Sequence, residues 1–187
     1  MSNMTKRMLS ASLKKLLSQK TLDNITIQDI TDDAEVSRKT FYYHFQDIYD
    51  LLNYTLTEDT RRLLNTEVTR DNWVDCLRKL LVYSQKERMV VLNTFHSIQR
   101  STLEAEFTRW LSPIITSLLA SQPGSERIPE EDRDFLINIF SYGLCGMILR
   151  WIGEGMTGDI EKMLSLIERF FSGSLEDLVR RYTRTAP

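Results

Sequence analysis

TIQDITDDAEVSRKTFYYHF, residues 26–45, decides how the rest of this chain is read. Thr26 and Asp29, three apart, stand in the positions of a capping box, so a helix is expected to start there. Ile27, Ile30 and Ala34 supply its inner stripe. Asp32, Asp33, Ala34 and Glu35 then lead into a turn. Ser37 is a good N-cap for a second helix over 38–44, with Phe41 and Phe45, four apart, on its inner face. Two short helices joined by a tight turn have the size of a helix-turn-helix. The other face of the second helix shows Arg38, Lys39, Thr40, Tyr42, Tyr43 and His44, with no acid. An ordinary solvated helix face mixes in acids. Arg and Lys reach guanine edges or phosphates, and Thr offers a hydroxyl or a methyl. Tyr and His donate to phosphate oxygens and fix the register.

Helical period continues on both sides of this segment. Met4, Met8, Leu9, Leu13, Leu16 and Leu17 make one stripe of a first helix. Residues 1–20 hold Lys6, Arg7, Lys14, Lys15 and Lys20 and no acid. Such an arm either steers one face toward phosphate or is a solvated helix face. Asp47 is expected to cap a fourth helix, with Ile48, Leu51, Leu52, Thr55, Leu56 and Leu63 on one side. Further helices are expected over 73–85, 87–100 and 102–121, the last kinked at Pro113. Residues 122–128, with Pro123-Gly124, read as a loop. Pro129, followed by Glu130, Glu131 and Asp132, opens a nearly all-apolar helix that runs to about residue 152. A last helix starts near Asp159, and Gly173-Ser174 marks an expected break in it. The fold class is all-α, about nine helices, with no strand and no repeat.

Composition removes several functions. The chain has 187 residues, 42% hydrophobic and 27% charged, with 7 Gly and 4 Pro, which suits a packed globular protein. A net charge of −2 argues against nucleic-acid binding through bulk charge. Two cysteines make no disulfide framework, and with only His44 and His96 beside them they make no metal site. There is no glycine-rich phosphate loop and no nucleophile–base motif. An enzyme is not expected, and neither is a cofactor. The uncharged stretches 110–125 and 135–149 fall short of the roughly 20 apolar residues of a membrane span. A buried core helix explains the second. With no signal peptide visible, a cytoplasmic protein is expected.

Residues 4–52 resemble the DNA-binding domain of the TetR family of bacterial transcription regulators. The resemblance rests on ITIQDI at 25–30, Ala34, Val36-Ser37, Thr40-Phe41-Tyr42-Tyr43-His44-Phe45 and Leu51-Leu52. GLCGMILRWIGEG, 143–155, resembles the branch that includes regulators of dihydroxyacetone-kinase operons. Two positions depart from the family pattern. Glu35 stands where the family usually has Gly, so the turn is expected to differ slightly. Ile48 stands where a Lys often meets phosphate at the start of the fourth helix.

The resemblance implies a helix-turn-helix domain over 1–47 and an effector-binding, dimerisation domain over 48–187. It implies a homodimer with the third helices in the major groove, on half-sites about one helical turn apart. The expected function is a sequence-specific transcription regulator, a repressor on a pseudo-palindromic operator that responds to an effector. The alternative is a regulator or activator controlled by a protein partner, with no small-molecule pocket. Thr26, Ser37, Arg38, Lys39, Thr40, Tyr42, Tyr43 and His44 are the candidate DNA-binding residues. Gly143, Gly146 and Met147, with Met163, Ile167, Phe170 and Phe171 of the last helix, are the candidate dimer interface. Phe95, His96, Phe107, Trp110, Tyr142 and Trp151 are the candidate lining for a small apolar effector.

Overall fold

Leu9, Leu13 and Leu17 recur every four residues, and all three are fully buried on the inner face of helix α1 (Ser2–Leu17). Each contributes about 1.5–3 kcal/mol of apolar burial. The computed structural model describes residues 2–185, with 67 and 70 left out. It falls into two compact units, Met1–Thr66 with Ser84–Gln99, and Glu67–Tyr83 with Arg100–Pro187. These units cut the chain elsewhere than the expected functional division after residue 47. The helix after that point packs its Leu51 and Leu52 into the same core as α1.

The first unit holds α1, α2 (Ile27–Asp33), α3 (Arg38–His44), α4 (Ile48–Leu64) and, from later in the chain, α6 (Arg88–Phe95). Thr26 and Asp29 form the expected capping box at the start of α2. Asp47 caps α4 by accepting from the Asp50 N–H at 2.8 Å. The core gathers Leu9, Leu13, Leu17, Ile30, Phe41, Phe45, Leu51 and Val90. Two buried hydrogen bonds fix the helices in place. The Ser12 hydroxyl donates to Ile30 O at 3.0 Å, and Asn93 Nδ2 donates to Leu17 O at 2.8 Å, satisfying a carbonyl at the end of α1.

Asp29 also receives the Lys20 ammonium at 2.9 Å. This hydrogen bond first, then the Thr26 N–H and hydroxyl, lowers the Asp29 carboxyl to about 2. A depressed carboxyl stabilises the fold above its unfolded value of about 4, and the contribution is lost as pH falls through the folded value. Asp29→Asn is therefore expected to flatten the fall of Tm with acid between about pH 4 and pH 2. Thermal melts across that range check it, and an unchanged acid slope contradicts it.

The second unit contains α5 (Trp73–Lys86) up to Tyr83, α7 (Arg100–Ala120), α8 (Glu130–Gly153) and α9 (Ile160–Thr185). Among the described residues there are nine α-helices and no strand. The expected helix over 87–100 is split, because α6 ends at Phe95 and α7 starts at Arg100. Pro113 lies inside the continuous 21-residue α7. α9 runs unbroken through Gly173. Phe171, Leu175 and Val179 beside that glycine are buried, and this outweighs the roughly 1 kcal/mol that Gly costs a helix.

Helix α8 is longer than its uncharged stretch. Pro129 precedes it, and Glu130, Glu131 and Asp132 in its first turn meet the positive end of the helix dipole. Arg150 in the last turn pairs with Glu154 at 2.8 Å. Among the described residues it is the one helix long and apolar enough to cross a membrane. Half of its most apolar window is buried inside the chain. Phe140, Leu144, Ile148 and Ile152 make up much of that inner face.

Candidate nucleic-acid interface

The turn between α2 and α3 aims the second helix outward. Val36 N–H donates to Thr31 O at 3.0 Å and Glu35 N–H to Asp32 O at 3.3 Å, the two bonds of a Schellman motif. Glu35 occupies the left-handed position with φ 52°. The turn therefore holds a non-glycine residue in the left-handed region, and Glu35 bears the strain. Glu35→Gly is expected to raise stability by about 0.5–1 kcal/mol, the left-handed penalty less the extra entropy of a glycine. Urea unfolding checks this, and a loss of stability contradicts it.

Ser37 begins α3 by accepting from the Thr40 N–H at 3.0 Å, and its hydroxyl also lies 2.8 Å from the Thr40 hydroxyl. Phe41 is fully buried and Phe45 nearly so. At 100° per residue, this sends Tyr43 and Lys39 directly away from the core. Tyr43 is 81% exposed. Thr40 and His44 lie on one flank and are half-buried; Arg38 and Tyr42 lie on the other and are exposed. The Tyr42 ring meets Phe41 edge-on at 5.5 Å, so its position is braced by the core. Thr26 is exposed at the start of α2, where its hydroxyl accepts from the Asp29 N–H at 3.1 Å. All eight candidate residues thus belong to one unit, and Ser37 and Thr26 have capping roles of their own.

The basic arm is largely engaged within the chain. Lys14 pairs with Asp59 at 2.7 Å, Lys20 with Asp29 at 2.9 Å, and Lys15 with Asp33. Lys6 is different. Its ammonium stands 5.4 Å from the centre of the Phe45 ring and 5.3 Å from that of Tyr54. No sequence pattern pointed to this contact.

The candidate dimer residues divide. Gly143 and Met147 are exposed, and Gly146 and Met163 are half-buried. Phe170 is 60% exposed. Ile167 and Phe171, expected on the same surface, are 2% and 4% exposed and belong to the subunit's own core. Phe171 packs on Trp73 at 5.7 Å and on Phe140 at 5.2 Å. Phe135, Ile139 and Leu166, which the sequence pattern does not single out, are exposed as well. Phe135, Ile139, Tyr142, Gly146 and Met147 follow helical spacing and leave an apolar stripe along the outside of α8. The Phe140–Phe170 ring contact, 6.1 Å, sets the exposed Phe170 of α9 beside it.

Of the six candidate pocket residues, Tyr142 and Trp151 do not share one lining. Tyr142 and Trp151 are nine residues apart on α8, two and a half turns, and so face opposite sides. Tyr142 is on the outer stripe, whereas Trp151 is buried with its indole N–H donating to Thr157 O at 3.1 Å. Trp110 is exposed and Phe107 half-buried on α7. Phe95 and His96 belong to the other unit, where the rings meet edge-on at 5.6 Å. An open groove of about 580 Å³ lies elsewhere, between α1 and α4, and is lined by Arg7, Lys14, Glu58, Asp59 and Arg62 among others. Such a charged lining does not suit an apolar molecule. Burial pushes the Cys76 and Cys145 thiols up, away from the thiolate that a nucleophile needs.

A capped helix-turn-helix with an acid-free outward face, followed by a helical unit, defines a DNA-binding regulator class. The chain belongs to the TetR family. Residues 10–55 match the model of bacterial regulatory proteins of the tetR family, and residues 71–173 match that of the transcriptional regulator C-terminal region. It is a transcription regulator and not an enzyme. The chain is 27% identical over 91 residues to the HTH-type dhaKLM operon transcriptional activator DhaS of Lactococcus lactis subsp. lactis (strain IL1403). That match spans 49% of each chain, about half the length of the curated relative. The solved structure of the dihydroxyacetone kinase operon activator DhaS is similar in fold, with TM-score 0.71 over 92% of this chain and 96% of that one, at 20% identity.

Proposed function

We propose that the protein binds a two-fold symmetric DNA site as a homodimer and regulates transcription in the cytoplasm in response to an effector. The carrying observation is the outward face of α3, with Lys39 and the 81% exposed Tyr43 at its centre and no acid. Arg38, Tyr42 and His44 flank that centre and reach phosphates, Thr40 meets base edges, and Thr26 and Ser37 add hydroxyl contacts. Fluorescence anisotropy of a labelled mixed-sequence duplex tests this reading. Binding that weakens steeply with salt supports it, and no binding at low salt overturns it.

The exposed apolar stripe of α8 and the outer face of α9 support the dimer. Gly143 and Gly146 lower the surface of α8, so another helix can approach closely; Met147, Met163 and Phe170 complete the face. A two-fold axis beside them would set two helices from each protomer into a four-helix bundle.

Repression of an overlapping promoter is the first reading. Activation is the second, favoured by the names of the similar proteins, which are operon activators. A reporter gene behind the bound site separates the two. Expression that rises when the regulator is removed means repression, and expression that falls means activation.

A further inference from the structure

We propose that Lys6 is a phosphate-anchoring cation of the DNA-binding unit, held over the α3–α4 junction by the rings of Phe45 and Tyr54. The inference rests on the DNA-binding reading above and adds a residue outside the helix-turn-helix. Lys14, Lys15 and Lys20 have carboxylate partners in Asp59, Asp33 and Asp29. Arg7 lines the α1–α4 groove with Glu58, whose carboxyl is lowered first by the hydrogen bond from Arg61 and least by the charge of Arg7. Among the described residues the Lys6 ammonium is instead set 5.4 Å and 5.3 Å from two aromatic rings. A ring face attracts a cation without cancelling its charge. The two rings, 5.4 Å apart, restrict the ammonium to one place, so less rotamer freedom is lost when an anion arrives.

That place adjoins the DNA face. Phe45 directly follows His44, the last residue of α3, whose ring meets that of the outward-facing Tyr43 at 4.9 Å. A helix lying in the major groove has phosphates along both sides, and contacts to them fix its register. The junction itself carries acids. Asp47 accepts from the Asp50 N–H at 2.8 Å, and Asp50 accepts from the Gln46 N–H at 3.0 Å. Ile48 packs against the core and brings no charge. The half-buried Lys6, over the Phe45 ring, therefore supplies positive charge beside a junction whose own charged side chains, Asp47 and Asp50, are acids.

The test is the salt dependence of binding to a mixed-sequence duplex, measured for the wild type, Lys6→Gln, Lys6→Met, Lys6→Arg and Lys15→Gln, with thermal melts of each. Losing one phosphate contact per subunit lowers the slope of log K against log salt by about 0.9 for each bound subunit. Lys6→Gln and Lys6→Met are expected to show that drop, while Lys6→Arg and Lys15→Gln keep the wild-type slope. Lys6→Met retains the aliphatic stem on the rings, so it decides the matter if Lys6→Gln fails to fold. A wild-type slope in a folded Lys6→Met, or an equal drop in Lys15→Gln, overturns the role of Lys6 alone. A wild type with no salt-dependent binding overturns the DNA-binding reading as well.

Discussion

Replacing Lys39 and Tyr43 together by alanine is expected to weaken duplex binding by about 3 kcal/mol or more, roughly a hundredfold, with Tm little changed. Each side chain points away from the core of the first unit, so the fold loses little when they are truncated. Each can donate to a phosphate oxygen or a base edge, and a hydrogen bond to a charged group contributes about 1.5–3 kcal/mol. The loss of Lys39 also reduces the salt slope, whereas the loss of Tyr43 leaves the slope in place. Thr40→Ala, by contrast, is expected to change sequence preference more than total affinity. Anisotropy titrations at fixed salt measure the effect. Unchanged affinity in a folded double variant contradicts the assignment of α3.

Gly146→Arg is expected to split the proposed dimer. Within the subunit, a Cβ at this position meets nothing within 4 Å, so the variant folds. Its neighbours on the outer stripe, Ile139, Tyr142 and Met147, are all exposed in the single chain. A second helix laid on that stripe would trap the guanidinium without a partner, at a cost of about 3–5 kcal/mol and so at least a hundredfold in dimer affinity. Sedimentation of the two proteins at micromolar concentration decides. A monomeric wild type contradicts the proposed interface, and so does a variant that remains dimeric.

The DNA-binding helices were legible because their signals are local. Thr26, Ser37 and Asp47 cap helices within three residues, and the bounds of α3 coincide with those expected from sequence. Phe41 and Phe45 also identify the buried face without any knowledge of what packs on it. The second unit was harder to read, because α8 and α9 carry apolar side chains on two sides. Period alone could not say that Ile167 and Phe171 turn inward to Trp73 and Phe140 while Leu166 and Phe170 turn outward. Two candidate pocket residues part for a related reason: residue type groups Tyr142 with Trp151, while helical geometry sends them to opposite sides. Lys6 was invisible as a distinct residue, because its contacts with Phe45 and Tyr54 exist only once α1, α3 and α4 have packed. The other lysines looked alike in the sequence, and their acids also lie on other elements. Glu35 shows the reverse case, where a residue with no glycine-like freedom nevertheless takes the left-handed position of the turn.

Selection of bound sequences from a random duplex pool would show whether two α3 helices read DNA together. Two copies of α3 related by a two-fold axis read two copies of one short sequence in opposite orientation. Enrichment of a palindromic motif with half-site centres about one helical turn apart is expected, with loss of that enrichment in the Lys39→Ala, Tyr43→Ala variant. A pool that stays random with the wild-type protein, or a motif that the double variant enriches equally well, would contradict it.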